Sequence, residues 1–337
     1  MDIWPRLSVV IPIRNEERFI ARTLGYVQNQ DYPADRVEIL VIDGESTDRS
    51  VDIVNEIAVL DRRVQLLRNS RRLSSAARNI GARHAGGEIL LYIDGHVHIE
   101  NNDLFKNVAR LMKEKEVSVL SRPAFLKTPD NGFFQNAVAL ARRSPLGHGL
   151  DSTVFTSEER YVNPESSGTF YRREIIEEVG FFDESFDAAE DFEFNYRLRR
   201  KGYQSYTSPK LQISYYPRDS LGKLWQQMKR YGKGRCQLVW KHPDAFSPGA
   251  AIPTVLVLGL PLLLLLSLLI PMALTVTIGI YGLYLAIILL TSVVIAARNG
   301  WIHLRSLPGI FLAIHWGVGW GFLAEMWRLI RSQQRAG

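Results

Sequence analysis

Glu88–Glu100 reads EILLYIDGHVHIE. An apolar run of strand length stops at Asp94, Gly95 and His96, and a second histidine follows at position 98. Alternate side chains of an extended chain share a face, so Asp94, His96 and His98 are expected to project the same way from the strand's end. A carboxylate beside an imidazole suits Mn2+ or Mg2+, with diphosphate oxygens and water completing the shell. The competing reading of His96 is a strand-end histidine bonded to nearby backbone, and for His98 that second reading is preferred.

Working outward, the same pattern recurs. LSVVIPI (Leu7–Ile13) and VEILVID (Val37–Asp43) are short β-branched runs and predict buried strands. VQLLRN (Val64–Asn69) predicts a third, and Glu88–Asp94 is the fourth. Helical patterns fall between them: one opening at Asn15, Glu16 and Glu17, one over VDIVNEIAVL, one over Ser74–Ala85. Four alternations of strand and helix predict an α/β fold with a mostly parallel sheet covered by helices. Ligands of such sheets sit outside the carboxyl ends of the strands. Three of these ends are polar: Pro12-Ile13-Arg14-Asn15-Glu16, Asp43-Gly44-Glu45-Ser46 and Asp94-Gly95-His96. No Gly-rich phosphate loop follows any strand, so a phosphorylated ligand needs a cation or arginines instead.

The chain has 337 residues and a formal net charge of +6. No Asp, Glu, Lys or Arg occurs from Ala245 to Ala297, which excludes a surface helix with a polar face. Segments 250–270 and 272–296 are each long enough to span a bilayer, with Pro271 between them. A third apolar segment, about 307–327, reads either as a span or as an interfacial helix. The lead MDIWPRLSVVIP lacks the pattern of a signal peptide. Basic residues precede the first span and follow the second, which puts the N-terminal part in the cytoplasm by the positive-inside rule. The single cysteine, Cys236, excludes an intramolecular disulfide framework. The basic excess is read as facing anionic lipid rather than nucleic acid, for which no motif is present. The expected organisation is 1–215 as the sheet domain, 216–246 as basic juxtamembrane helices and 250–327 as the membrane region.

SVVIPIRNEE, ILVIDGESTDRS, SSAARNIGARHAGGEILLYIDGH and AAEDFEFNYRLRRKGY occur in that order. Together they resemble family 2 glycosyltransferases of the GT-A fold, over about Leu7–Arg235, and most of all the membrane-anchored succinoglycan-type glucosyltransferases. The resemblance implies that Pro12, Arg14, Asn15, Glu16, Asp43 and Gly44 border a nucleotide-sugar, with Arg71 or Arg72, and Arg78, as basic contacts. Asp94 matches the first acid of the family's Asp-x-Asp metal motif and also belongs to the donor site. His96 stands where the second acid would be. Asp191 matches the catalytic base and Glu190 is the alternative; read alone, both are also ordinary acids at a helix start. Ser167 and Gly168 form a turn that a sugar can approach closely. Gln227, Arg230 and Tyr231 resemble a Gln-x-x-Arg-Trp motif of membrane polysaccharide synthases, with Tyr in place of Trp, and are expected at the acceptor or diphosphate. Read alone, they belong to a basic juxtamembrane helix.

The resemblance implies an inverting transferase using a divalent cation (Mn2+ or Mg2+). The donor is expected to be a UDP-sugar, with UDP-glucose as the candidate. The acceptor is expected to be a lipid-linked saccharide of exopolysaccharide or cell-surface glycan biosynthesis. Membrane lipid and other glycan-assembly proteins are the remaining expected partners. The alternatives are a processive polysaccharide synthase, a polyprenyl-phosphate sugar synthase, and a non-catalytic sugar-binding subunit.

Overall fold

The computed structural model describes residues 4–128, 132–148, 158–186 and 188–334. In chain order the first elements are β1 (Leu7–Ile13), α1 (Ile20–Gln28), β2 (Val37–Asp43), α2 (Ser50–Leu60), β3 (Val64–Arg68) and α3 (Ser74–His84). Then come β4 (Ile89–Tyr92), β5 (Val97–His98), α4 (Leu104–Glu114), β6 (Val119–Ser121) and β7 (Ala124–Leu126). Next are α5 (Phe133–Arg143), α6 (Pro145–His148), β8 (Arg160–Val162), β9 (Gly168–Arg172), α7 (Arg173–Val179) and α8 (Glu190–Arg200). The chain continues with β10 (Ser205–Thr207), β11 (Ile213–Tyr215) and α9 (Leu221–Lys241). It closes with α10 (Pro248–Ser267), α11 (Pro271–Asn299) and α12 (Leu307–Gln334).

The chain divides into two compact units, one of Met1–Lys127 with Thr153–Tyr215, the other of Thr128–Ser152 with Tyr216–Gly337. The expected boundary at 215 therefore needs one change: α5 and α6 belong with the second unit. The reason is packing. Ala137, Val138 and Ala141 of α5 are buried in one cluster with Leu224 and Met228 of α9 and Phe311 of α12.

The first unit is built on an eight-stranded sheet of order β3-β2-β1-β4-β9-β6-β10-β8. β1 pairs in parallel with both β2 and β4, and β2 with β3. Only β9 and β8 run against the rest, which makes the sheet mostly parallel. Period-two alternation sorts the apolar side chains to its two faces. Val9, Ile11, Ile39 and Val41 join one core, with residues of α1, α2 and α4. Val10, Leu40 and Ile42 join the other, with residues of α3, α7 and α8. β1 and β2 occupy the expected residues because both faces are buried and continuous β-branched runs suit such strands. α1 starts five residues later than the pattern at Asn15 suggests. Asn15 has a positive φ of 57°. Its backbone N–H and that of Glu16 are satisfied by Ser46 and Ser50 rather than by a helix. A second, three-stranded sheet has the order β5-β11-β7.

In the second unit α10, α11 and α12 are each long and apolar enough to cross a membrane. α9 lies along α12 with close backbone approach: a Cβ on Gly232 would come within 2.0 Å of the Val318 carbonyl oxygen. The only acid of α12, Glu325, is buried and accepts from Gln237 Nε2 at 2.7 Å and from Arg328 Nε at 2.9 Å. Its charge is therefore matched inside the helical unit.

Candidate active site

The order β2-β1-β4 sets the three polar strand ends side by side. Gly44 N–H donates to the Ile13 carbonyl at 2.9 Å, tying two of them together. Asp43, buried at the end of β2, accepts from the Ser46 backbone N–H at 3.2 Å. Pro12 is the penultimate residue of β1, and Arg14 is exposed beyond it. Asn15 Oδ1 accepts from Thr47 N–H at 2.8 Å. Asp43, Gly44, Pro12, Arg14, Asn15 and Glu16 thus line one stretch of the sheet's carboxyl edge.

Next to it lies a cluster of charge. α8 begins at Glu190, directly after Ala189 in the left-handed region with φ 62°. That turn aims Glu190 and Asp191 at Arg78 of α3. Arg78 Nε is 3.3 Å from Glu190 Oε1, and Nη2 is 3.7 Å from Asp94 Oδ1. The guanidinium carbon lies 5.2 Å from the centre of the Tyr92 ring. Burial works against the Arg78 charge, but Glu190, Asp94 and Asp191 outweigh it and raise its pKa. Asp191 stands next to Glu190 at the start of α8, with part of its surface open to solvent and the rest facing the charged cluster. Removal from bulk water and then the Glu190 charge raise its pKa, against the pull of Arg78. For Asp94 burial acts upward, yet Arg78, His96, Arg122 and the Tyr215 hydroxyl together hold it below the usual carboxylate range. The site thus contains one carboxyl of raised proton affinity and one kept ionised.

His96 Nδ1 lies 2.8 Å from Glu16 Oε1. A carboxylate only accepts, so Nδ1 carries a proton, and in the neutral ring Nε2 is then the nitrogen that can ligate metal. Among the described residues no group of three or more His, Cys, Asp or Glu gathers as a metal site. Asp94 and His96 supply two donors, an oxygen and a nitrogen, and both are anchored by other side chains. That donor set fits a divalent cation whose remaining ligands come from a substrate.

His98 parts company with its neighbours. It lies on β5, where its ring faces Tyr26 at 4.8 Å, and Nδ1 is 2.6 Å from the Tyr26 hydroxyl. The strand ends at Tyr92 and a turn intervenes, so the alternation expected to carry Asp94, His96 and His98 to one face does not apply. Arg71 pairs with Glu184 and Arg72 with Glu45, whereas Arg78 alone of the three reaches the acid cluster. A Cβ on Gly168 would lie 2.6 Å from Asn195 Oδ1, so α8 itself requires glycine there. Ser167 Oγ donates to the Arg122 carbonyl at 2.6 Å. Gln227, Arg230 and Tyr231 lie on α9 of the second unit. There Gln227 Nε2 donates to the Tyr231 hydroxyl at 3.3 Å, and Arg142 stands over the Tyr231 ring at 5.7 Å.

The model of the family described as Glycosyl transferase family 2 matches residues 8–180, more than half of the chain. The chain belongs to this family. The glycosyltransferase is 32% identical, over 69% of its length and 70% of the relative's, to the succinoglycan biosynthesis protein ExoA of Rhizobium meliloti. It is 29% identical to the dolichyl N-acetyl-alpha-D-glucosaminyl phosphate 3-beta-D-2,3-diacetamido-2,3-dideoxy-beta-D-glucuronosyltransferase of Methanococcus voltae. That match covers 71% of this chain and 78% of the relative. Its structure is similar to that of mannosyltransferase PcManGT from Pyrobaculum calidifontis in complex with GDP-Man and Mn2+. The TM-score is 0.59 at 20% identity, covering 97% of this chain and 88% of the other. The fold is the GT-A fold.

Two site residues escaped the sequence reading: Arg122 and Tyr215. Arg122 follows the short stretch VSVLS (Val117–Ser121), a weaker strand signal than the LLYI (Leu90–Ile93) that precedes Asp94. The same strand-end logic applied there would have found it. Tyr215 reaches Asp94 only because β11 pairs with β5 and β7, a long-range arrangement that no local pattern announces.

Proposed function

We propose that this glycosyltransferase is inverting, and that it moves a sugar from a UDP-sugar to a hydroxyl of a lipid-linked saccharide at the cytoplasmic face of a membrane. The carrying observation is the pairing of Asp191, of raised proton affinity, with Asp94, held ionised, about the single guanidinium of Arg78. Groups whose environments push their pKa values apart are how one site divides acid–base work.

In this reading Asp191 takes the proton from the acceptor hydroxyl as its oxygen bonds to the anomeric carbon. The bond from that carbon to the diphosphate breaks on the opposite face, which inverts the configuration. The Phe192 N–H, donating to Asp191 Oδ1 at 2.8 Å, orients that carboxylate, and the charges of Glu190 and Arg78 set its proton affinity. Asp94 and His96 would hold a divalent cation, which would neutralise charge on the departing diphosphate. Glu16 fixes the ring of His96. Asp43, Gly44 and the Pro12–Glu16 segment border the nucleotide, with Arg71 at the rim, and Ser167 with Gly168 faces the sugars. Gln227, Arg230 and Tyr231 serve the acceptor or its phosphate.

The relatives' names support the acceptor class: one names a dolichyl phosphate-linked sugar, the other succinoglycan biosynthesis. The helices of α10–α12 support a chain that spans the membrane more than once, where such an acceptor resides. A two-donor metal site fits the Mn2+ of the mannosyltransferase structure.

The test is transfer and hydrolysis by the detergent-purified chain with a panel of nucleotide-sugars, with Mn2+ or Mg2+ and with chelator. Turnover of one donor is expected, lost with chelator and in Asp94→Ala. Activity that survives both would remove the metal role from Asp94 and His96. Asp191→Asn is expected to lose about 10²–10⁴-fold. Retained activity on a polyprenyl phosphate would instead indicate a phosphate nucleophile, which needs little help from a base.

A further inference from the structure

Arg122 directly follows β6, a strand that runs the same way as β4, so it stands at the same carboxyl edge as Asp94. Its main chain is pinned on both sides of Ser167: Arg122 N–H donates to the Ser167 carbonyl at 3.2 Å, and Ser167 Oγ donates back at 2.6 Å. Its guanidinium carbon lies 4.7 Å from the centre of the Tyr215 ring, and Nη2 contacts the Tyr215 hydroxyl. The other two nitrogens, Nε and Nη1, are buried and meet no hydrogen-bond partner among the described residues. No carboxylate forms an ion pair with Arg122 among them, although Asp94 is near enough to feel its charge.

This contrasts with Arg78 a short distance away, which is neutralised by Glu190 and Asp94. A guanidinium is always charged, and one buried with unmet N–H groups is costly to the fold. Native proteins rarely keep such groups without a use for them. The stack on Tyr215 and the anchor on Ser167 fix where the donors point before any ligand arrives.

We propose that Arg122 is a phosphate-binding residue of this site, with Nε and Nη1 receiving phosphate oxygens of a substrate. The inference rests on the transferase reading above. Planar guanidinium donors match phosphate oxygens, and charge-assisted bonds to a desolvated arginine are strong. Phosphate reaches this edge from two sources, the diphosphate of the donor and the phosphate of a lipid-linked acceptor. Both would arrive beside Asp94, which lies within reach of the Arg122 charge.

The test compares wild type, Arg122→Gln and Arg122→Lys of the full chain in detergent. Calorimetry measures UDP and uridine binding in the presence of Mn2+, kinetics give KM for donor and for a polyprenyl-phosphate-linked sugar, and thermal melting reports stability. If the donor supplies the phosphate, Arg122→Gln weakens UDP about tenfold or more and leaves uridine unchanged, with Arg122→Lys in between. If the acceptor supplies it, UDP binding holds and the acceptor KM rises by a similar factor at unchanged donor KM. In either case the melting temperature of Arg122→Gln stays level or rises, because an unmatched buried charge has been removed. Unchanged UDP binding together with unchanged acceptor KM overturns the inference. So does altered discrimination between a uronic-acid donor and its neutral counterpart with both phosphate arms unmoved. A melting temperature that falls by several degrees with ligand binding intact marks Arg122 as structural and overturns it too. Wild type that binds no nucleoside diphosphate overturns the transferase reading itself, an outcome distinct from equal binding by wild type and variant.

Discussion

At Asp191 removal from bulk water and the charge of Glu190 both favour the protonated carboxyl, and they outweigh Arg78 and the Phe192 N–H, which oppose them. A general base works only when ionised, so kcat/KM falls as pH drops through this raised pKa. The acid limb is therefore expected above the ordinary carboxylate range near 4. Glu190→Gln removes the neighbouring negative charge and releases Arg78 toward Asp191, and both changes lower the Asp191 pKa. The limb should move to lower pH in that variant, and a pH–rate profile that stays in place would separate the limb from Asp191. Much of this site was readable residue by residue: the acids at the α8 start, Asp94 and Arg78 all sit in short, distinctive stretches. What was not readable was which arginine would be neutralised. Arg71, Arg72 and Arg78 share one stretch of chain, yet only the third meets the acids. Helical period and the distant α8 decide that, and neither is visible in the spacing alone.

α3 packs on the sheet so closely that a Cβ on Gly81 would fall 2.3 Å from Val10 Cγ1. Gly81→Ala is expected to destabilise the protein by about 1–3 kcal/mol through overpacking. Adding Val10→Ala should recover part of that loss, because the clashing methyls are gone; denaturant melts of the two singles and the double measure the coupling. A double variant no better than the sum would place the strain elsewhere. At this scale the sequence was most legible where an element is buried on two faces. β1 and β2 carry unbroken apolar runs and end where the runs end. α1 was less so: the acids at Glu16 and Glu17 imitate a helix start, while their chain segment is instead held to the β2–α2 loop, with Glu17 N–H on Asp48 at 3.1 Å. The short strands β5, β7 and β11 gave no pattern because two or three residues carry no period.

The chain enters the second unit at 128, leaves it after 152 and returns at 216. A fragment ending at Tyr215 would keep α5 but lose α9 and α12, stripping the cover from Ala137, Val138 and Ala141. Such a fragment is expected to aggregate, and the full chain in detergent is expected to run as a discrete species; a soluble, monodisperse fragment on gel filtration would refute this packing argument. The second unit also holds fourteen Lys and Arg against five Asp and Glu, more than the whole excess of the chain. Vesicle binding should accordingly strengthen with anionic lipid and weaken with salt. The composition pointed to this segregation of charge and apolar helices, but the detour through α5 and α6 was hidden, because an amphipathic helix of eleven residues looks the same whichever body it serves. The detour also imposes an order on synthesis. α5 leaves the ribosome roughly ninety residues before Leu224, the first of its partners on α9, exists. At about 5–20 residues per second, that helix spends on the order of ten seconds without its cover from α9, while β8, β9 and β10 of the sheet are still being made.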